Sequence, residues 1–435
     1  MTRKILILGA GKIGGAIVDL LHGSGAYDIT LADSNATFLK QAGGERAATH
    51  AIDVSDRAAL AKVAMGKDAV ISALPFFLNP GVAQVCLEIA AERSRVFDLT
   101  LKHNTVAVVS DGSAILGIGN LGAEAAIPVM EGKAVLLKEF AGVDAFPICL
   151  ATQDVDEIVR TVRLIAPVFG GINLEDISSP RCFEVEAQLQ DLGIPVFHDD
   201  QHGTAIVVMA ALLNALKVVG KTLDQCTIVF NGSGASAIAC ARLILSYGTL
   251  GRAPLPGDIL ICDSKGIVHR GRTDLNPPKR DIADRTNRHN RAGGLADALR
   301  DADVFIGLSQ GNLVTSDMVR SMRPHPIILA MANPIPEIMP DAARDAGAKV
   351  IGTGRSDFPN QINNVLAFPG VFRGALDAKA RLINEGMKLA AAEALAGYVI
   401  EPTPERILPD PLDKQVAQRI GRAVANAARD ADVCR

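Results

Sequence analysis

The sequence predicts an α/β protein in which two Rossmann-like dinucleotide-binding units flank a third α/β segment. Three observations carry this reading. Lys4-Ile5-Leu6-Ile7-Leu8 is a short β-rich run that leads into the glycine loop GAGKIG. Thr227-Ile228-Val229-Phe230 leads in the same way into NGSGASA. Between them, residues 102–220 alternate strand-like and helical patterns with no nucleotide loop. A chain of 435 residues exceeds what one hydrophobic core serves, so several domains are expected.

In the first unit, Gly9, Gly11 and Gly14 form GxGxxG, a helical pattern runs on through Leu21, and a second strand over residues 28–32 ends at Asp33. An acid about 20 residues past the loop is what a dinucleotide-binding βαβ unit requires. The glycines let the backbone approach a pyrophosphate, the helix N-terminus offers free N–H groups, and Asp33 can accept from a ribose hydroxyl. Further strands over residues 69–73 and 96–99 complete an open, mostly parallel sheet in residues 1–100. In the later unit, Gly232, Ser233, Gly234, Ala235, Ser236 and Ala237 form a GxGxxA loop. A helix follows over residues 238–247, and a strand over 258–262 ends at Asp263. The expected domains are 1–100, 101–215 and 216–400. Pro402, Pro404, Pro409 and Pro411 set off a last segment, 401–435, with a helix over 414–428 read as a packing or oligomer arm.

Composition narrows the function classes. A net charge of −4 gives no reason to expect a nucleic-acid or anionic-membrane partner. The longest unbroken apolar stretch, residues 205–213, is far shorter than the roughly 20 residues that cross a bilayer. The opening MTRKILILGAG lacks a cleavage pattern, so no signal peptide is expected. Seven cysteines without CxxC spacing suit reduced thiols and a cytoplasmic protein.

The chemistry lies in two acidic pairs. Asp199 and Asp200 stand in VFHDDQHGTA, between two apolar runs, and Glu175 and Asp176 follow VFGGINL. Hard cations such as Mg²⁺ or Mn²⁺ want oxygen ligands, and a few carboxylates leave positions open for a chelating substrate. Helix N-capping is the plainer explanation for acids at such points. His198 and His202 are read as packed or hydrogen-bonded frame. Lys133 in PVMEGKA, ahead of an apolar run, suits a base of lowered pKa, or else a solvated surface lysine. Asn333 in LAMANPIPE and the pair Asn363 and Asn364 in QINNV end apolar stretches, with turn formation as the ordinary reading.

From about residue 80 onward the chain resembles the short bacterial malic enzymes. The blocks NTVAVVSDGSAILGIGNLG, PVMEGKAVLLKEFAGVD, FGGINLEDI, IPVFHDDQHGTAIVV, LAMANPIPE, GTGRSDFPNQINNVLAFPGVFRGALD and ILPDP follow in the family's order. The resemblance implies a malic-enzyme N-type α/β domain in the middle of the chain and a homo-oligomer. It also implies metal-dependent oxidative decarboxylation of (S)-malate to pyruvate and CO₂, with NADP or NAD taking the hydride. Matched motif by motif, Glu175, Asp176 and Asp200 correspond to the metal ligands and Asp199 to the acid that orients the base. Lys133 corresponds to the lysine that takes the substrate hydroxyl proton. The loop from Gly232 to Ala237, Asp263 and Asn333 correspond to the cofactor site, and Asn363 and Asn364 to the malate site. Asp263 favours a free ribose hydroxyl and Lys265 a 2′-phosphate, so cofactor choice stays open, with the family leaning to NADP.

In one place the chain departs from the family. The family's YSPGVA block carries the tyrosine that protonates enolpyruvate, and here the stretch reads FFLNPGVA, with Leu78 at the tyrosine position. Residues 1–100 instead resemble the NAD(P)-binding domain of saccharopine dehydrogenase-like proteins, in KILILGAGKIGGAIVDLL, AIDVSD, DAVISALPFFLNP and VFDLT. That resemblance implies a second nucleotide site at Gly9, Gly11, Gly14 and Asp33. It also leaves two alternatives: a saccharopine-type amino-acid dehydrogenase, or a catalytically silent nucleotide-binding protein.

Overall fold

Three parallel or mostly parallel sheets organise the chain, in a computed structural model that describes residues 2–74, 80–115 and 118–435, with only the backbone of 80–83. Met1–Leu99 forms one compact unit and Thr100–Arg435 another. Leu78 lies outside the described residues.

In the first unit the strands are β1 (Arg3–Leu8), β2 (Tyr27–Asp33), β3 (Ala48–Ala51) and β4 (Ala69–Ser72), ordered β3-β2-β1-β4. Central β1 is covered on both faces, with Ile5 and Ile7 in one cluster and Leu6 and Leu8 in the other. A parallel strand covered twice needs an unbroken apolar run, which is why KILIL reads so clearly. The strand expected over 96–99 is a short helix, Val96–Leu99, entered from the 3-10 turn Arg93–Arg95. Of its four residues only Phe97 is buried, so the β-branched and aromatic pair at its start has no sheet to fill.

The second unit holds two sheets. The strands β5 (Thr105–Ser110), β6 (Asp144–Cys149), β7 (Gly171–Leu174) and β8 (Val196–His198) run in the order β6-β5-β7-β8. The other sheet contains β9 (Thr227–Asn231), β10 (Asp258–Asp263), β11 (Gly266–Ile267), β12 (Val304–Gly307), β13 (Ile327–Ala330) and β14 (Val350–Thr353), ordered β11-β10-β9-β12-β13-β14. Only β11 is antiparallel, on the outer edge. The helix Asp199–Val219 belongs to the core shared by both sheets: Val207, Met209 and Leu212 pack in one cluster with Val106, Phe197, Ile228 and Phe230. By length and hydropathy this helix is fit to cross a membrane, but 67% of its apolar window is buried inside the fold. The C-terminal helix Lys414–Asp430 buries Val416, Ile420, Val424 and Ala428 on one face, against the helices Phe368–Asp377 and Glu385–Ala396. Its apolar stripe therefore serves the unit's own core.

Candidate active site

Parallel sheets present ligands at the carboxyl ends of their strands, and the acidic pairs stand at two such ends. Glu175 and Asp176 follow β7, and Asp199 and Asp200 open the helix after β8. The residue before that helix is His198, which makes no side-chain cap bond, so neither aspartate acts as an N-cap. Asp176 has φ +54°, in the left-handed region, and its amide donates to Asp200 Oδ2 at 2.9 Å. Carboxylate oxygens of Glu175, Asp176 and Asp200 come within 4.8 Å of one another. Both Asp176 oxygens are buried without a hydrogen-bond partner. A converging set of hard oxygens with orphaned acceptors fits a divalent cation of the Mg²⁺ or Mn²⁺ kind.

Lys133 reaches this cluster from the helix Ala123–Ala141, 6% exposed. Its Nζ is ion-paired with Asp199 and with Glu175, whose Oε1 lies 2.9 Å away. The ring of Phe368 lies 4.4 Å away. Asn364 Nδ2 donates to Asp199 Oδ2 at 2.5 Å. The glycine of HGT makes room for this pairing, because a Cβ on Gly203 would sit 1.8 Å from Asp199 Oδ1.

Four carboxylates against one ammonium set the electrostatics. Burial first, then repulsion from neighbouring acids, pushes Glu175 up to about 7, Asp176 to about 8 and Asp200 to about 6. Burial raises Asp199 to about 7 even beside Lys133. The lowered pKa expected for Lys133 is not what the structure shows. Burial alone would depress it, but Asp199 and Glu175 outweigh burial and hold the ammonium far above its ordinary range.

The histidines divide. His202 sits 2.7 Å from Glu186 Oε1 and 3.1 Å from Lys388 Nζ, a frame behind the helix. His198 is fully buried, with no hydrogen bond to its ring nitrogens and Nδ1 3.7 Å from Asp200 Oδ2, and burial pushes its pKa down to about 4.

Asp200, Asn333, Asn363 and Asn364 line one cavity of about 430 Å³ together with Ser236 and Ser309. Asn363 also caps the 3-10 turn after it, accepting from Val365 N at 3.0 Å. A neighbouring cavity of about 770 Å³ shares Leu308 and Ser309 with the first and runs along Gly232, Ser233 and Gly234 to Asp263. Gly232 has φ +120° and faces Leu308 O, which a Cβ would meet at 2.6 Å. Gly234 precedes the helix Ala235–Thr249 with no side-chain cap, leaving its first N–H groups open to an anion. Asp263 faces this cavity, yet Arg272 grips both its oxygens at 2.7 and 3.0 Å, and Lys279 adds a bond at 3.0 Å. Against its burial, these cations hold Asp263 below the usual carboxylate range. Ser236 Oγ donates to the Asp200 carbonyl at 2.7 Å, joining the glycine-loop helix to the acidic cluster.

Residues 201–429 match the family model for the malic enzyme NAD binding domain, and residues 55–190 that for the malic enzyme N-terminal domain. The chain belongs to the malic enzyme family. It is 55% identical over 361 residues to the bifunctional malic/malolactic enzyme of Bacillus subtilis (strain 168), covering 82% of this chain and 86% of that one. To the NAD-dependent malic enzyme of Geobacillus stearothermophilus it is 50% identical over 405 residues, covering 92% of this chain and 80% of the relative. The crystal structure of malic enzyme from Pyrococcus horikoshii Ot3 superposes with a TM-score of 0.78 at 46% identity, over 82% of this chain and 83% of that one. Residues 5–93 also match the saccharopine dehydrogenase NADP binding domain. Sequence reading missed Arg272, Lys279, Ser309 and Glu337, whose partners come from distant or turn-separated parts of the chain, and Gly203, whose neighbour Asp199 lies one turn back on the same helix.

Proposed function

We propose that the chain oxidatively decarboxylates (S)-malate to pyruvate and CO₂ with NADP⁺ as hydride acceptor. One observation carries the reading: the acid that belongs to the cation-fitting cluster, Asp200, lines the same cavity as Asn333 and Asn364, and that cavity continues into the glycine-loop cleft. Glu175, Asp176 and Asp200 would hold the divalent cation, which when bound supplies Lewis-acid polarisation of the substrate oxygens. Lys133 is the group that takes the malate hydroxyl proton once its own proton has passed to Asp199, the acid it pairs with, and Asn364 holds that acid in place. Asn333 and Ser309 flank the space for the nicotinamide. With malate, Mn²⁺ and NADP⁺, absorbance of the reduced nicotinamide should rise; a flat trace from correctly folded protein would reject the proposal.

NADP⁺ is favoured because Asp263, the acid that would repel a 2′-phosphate, is already neutralised. Lys265 and Lys279 line the same cavity, and Arg272 backs the carboxylate.

A second reading concerns Met1–Leu99, where we infer a further dinucleotide site. Its loop repeats the later one. Gly9 has φ +99°, and Gly11 and Gly234 adopt nearly equal angles, φ −68° and −80° with ψ −171° and −169°. Packing explains Gly14, whose Cβ would strike Gly9 O at 1.8 Å, but not Gly11, whose Cβ would meet nothing within 4 Å. Asp33 accepts from Ala10 N and Asn35 N at 2.6 and 2.7 Å, and no cation covers it among the salt bridges of the described residues, which suits NAD. Calorimetry with NADH should give two sites per chain for the wild type and one for Gly11→Val. A single site that Gly234→Val abolishes would reject this reading.

A further inference from the structure

Glu337 takes no part in the chemistry above, although it is fully buried at the end of the sheet that carries the cofactor cleft. Its Oε1 accepts from Ser309 N and its Oε2 from Ala332 N, each at 3.1 Å. Ser309 lies just past the end of β12, and Ala332 just past the end of β13 and directly before Asn333. Ser309, Ala332 and Asn333 all line the cavity that also holds Asp200 and Asn364. The backbone reinforces the tie, with Asn312 N bonded to Pro336 O and Val314 N to Glu337 O, each at 3.0 Å.

The chemistry explains the residue type. Two amides on two strand ends need two acceptors, and a carboxylate is the side chain that offers both. A glutamine offers one, and a leucine would leave both amides buried and unpaired. The chain also keeps a glycine in β12 to admit the group, since a Cβ on Gly307 would sit 2.2 Å from Glu337 Cδ. Among the described residues no cation pairs with this carboxylate, and burial raises its pKa. A tie that served stability alone would be cheaper to build from apolar side chains. Here the tied points are walls of the cavity.

We propose that Glu337 is a positioning residue that sets the nicotinamide end of the cleft, by fixing the spacing of Ser309 and Asn333 through their backbone. The proposal rests on the oxidoreductase reading above. It is tested on the full chain with Glu337→Gln, Glu337→Ala and Gly307→Ala, using NADPH fluorescence titration without malate, steady-state kinetics, and the isotope effect with malate deuterated at C2. Glu337→Ala and Gly307→Ala should weaken NADPH binding about tenfold, as expected for losing two buried hydrogen bonds, with Glu337→Gln between them and the wild type. The deuterium effect should rise in all three as hydride transfer becomes slower, while KM for malate changes less than about twofold. Adding Glu337→Asp to Gly307→Ala withdraws the clashing carbon and should recover part of the loss. Unchanged NADPH affinity and isotope effect in folded Glu337→Gln would overturn the proposal. Absence of turnover in the wild type would instead remove the enzymatic reading, and the NADPH titration would still decide the role of Glu337.

Discussion

Asp199 sits where it does because residue 203 has no side chain. One turn on along the helix, any Cβ would overlap the carboxylate, at 1.8 Å from Oδ1. Gly203→Ala should therefore push Asp199 away from Lys133 and Asn364. We expect kcat to fall by about 10²-fold, the scale of a misplaced catalytic group, and stability to fall by about 1–3 kcal/mol for overpacking. Paired kinetics and denaturant melts would separate the two. The acids themselves were legible, since two charges after an apolar run need a reason. The pairing of Lys133 with Asp199, 66 residues apart, was expected from the family resemblance and not from local spacing. The sign of the Lys133 shift was not legible, because it depends on how many carboxylates surround it once the chain has folded. Leu78, outside the described residues, stands where the family resemblance expects a proton-donating tyrosine. A positioned general acid is worth about 10²–10⁴ in rate, so Leu78→Tyr should raise kcat markedly. No gain would mean that position 78 does not serve the site.

Among the elements, strands flanked by glycine loops were the easiest to read. β1 and β9 each meet their loops as expected, because a covered parallel strand has a continuous apolar signature. Val96–Leu99 was misread because four residues carry no periodicity, and burial of one side chain decided for helix. The end of β10 shows where local reading stops. Asp263 after a strand suggests ribose binding, but Arg272 and Lys279, 9 and 16 residues on, occupy its oxygens. Removing those cations should turn the element back toward its usual preference. We expect Arg272→Ala with Lys279→Ala to lower the NADP⁺ to NAD⁺ ratio of kcat/KM by more than tenfold, with Lys279→Ala alone giving part of the change. A ratio that stays constant would assign selectivity elsewhere.

For the whole molecule the acidic cluster makes stability depend on pH and on cations. The folded-state pKa values of Glu175, Asp176, Asp199 and Asp200, about 7, 8, 7 and 6, lie above those of the unfolded chain. Such groups contribute stability that is fully present below about pH 4 and is lost as pH rises through about 6 to 8. His198 has the opposite sign: depressed to about 4, it contributes stability above its unfolded value that is lost as pH falls. In a chelator, the melting temperature should therefore drop as pH rises from about 6 to about 8, and Mn²⁺ should cancel most of that drop. A chelator-independent pH profile would argue against a cation at these residues. The bond from Ser236 Oγ to the Asp200 carbonyl adds one consequence. It makes the two ligands parties to a single equilibrium: whatever factor the cation adds to dinucleotide affinity, the dinucleotide must return to the cation, and Ser236→Ala should shrink both factors alike.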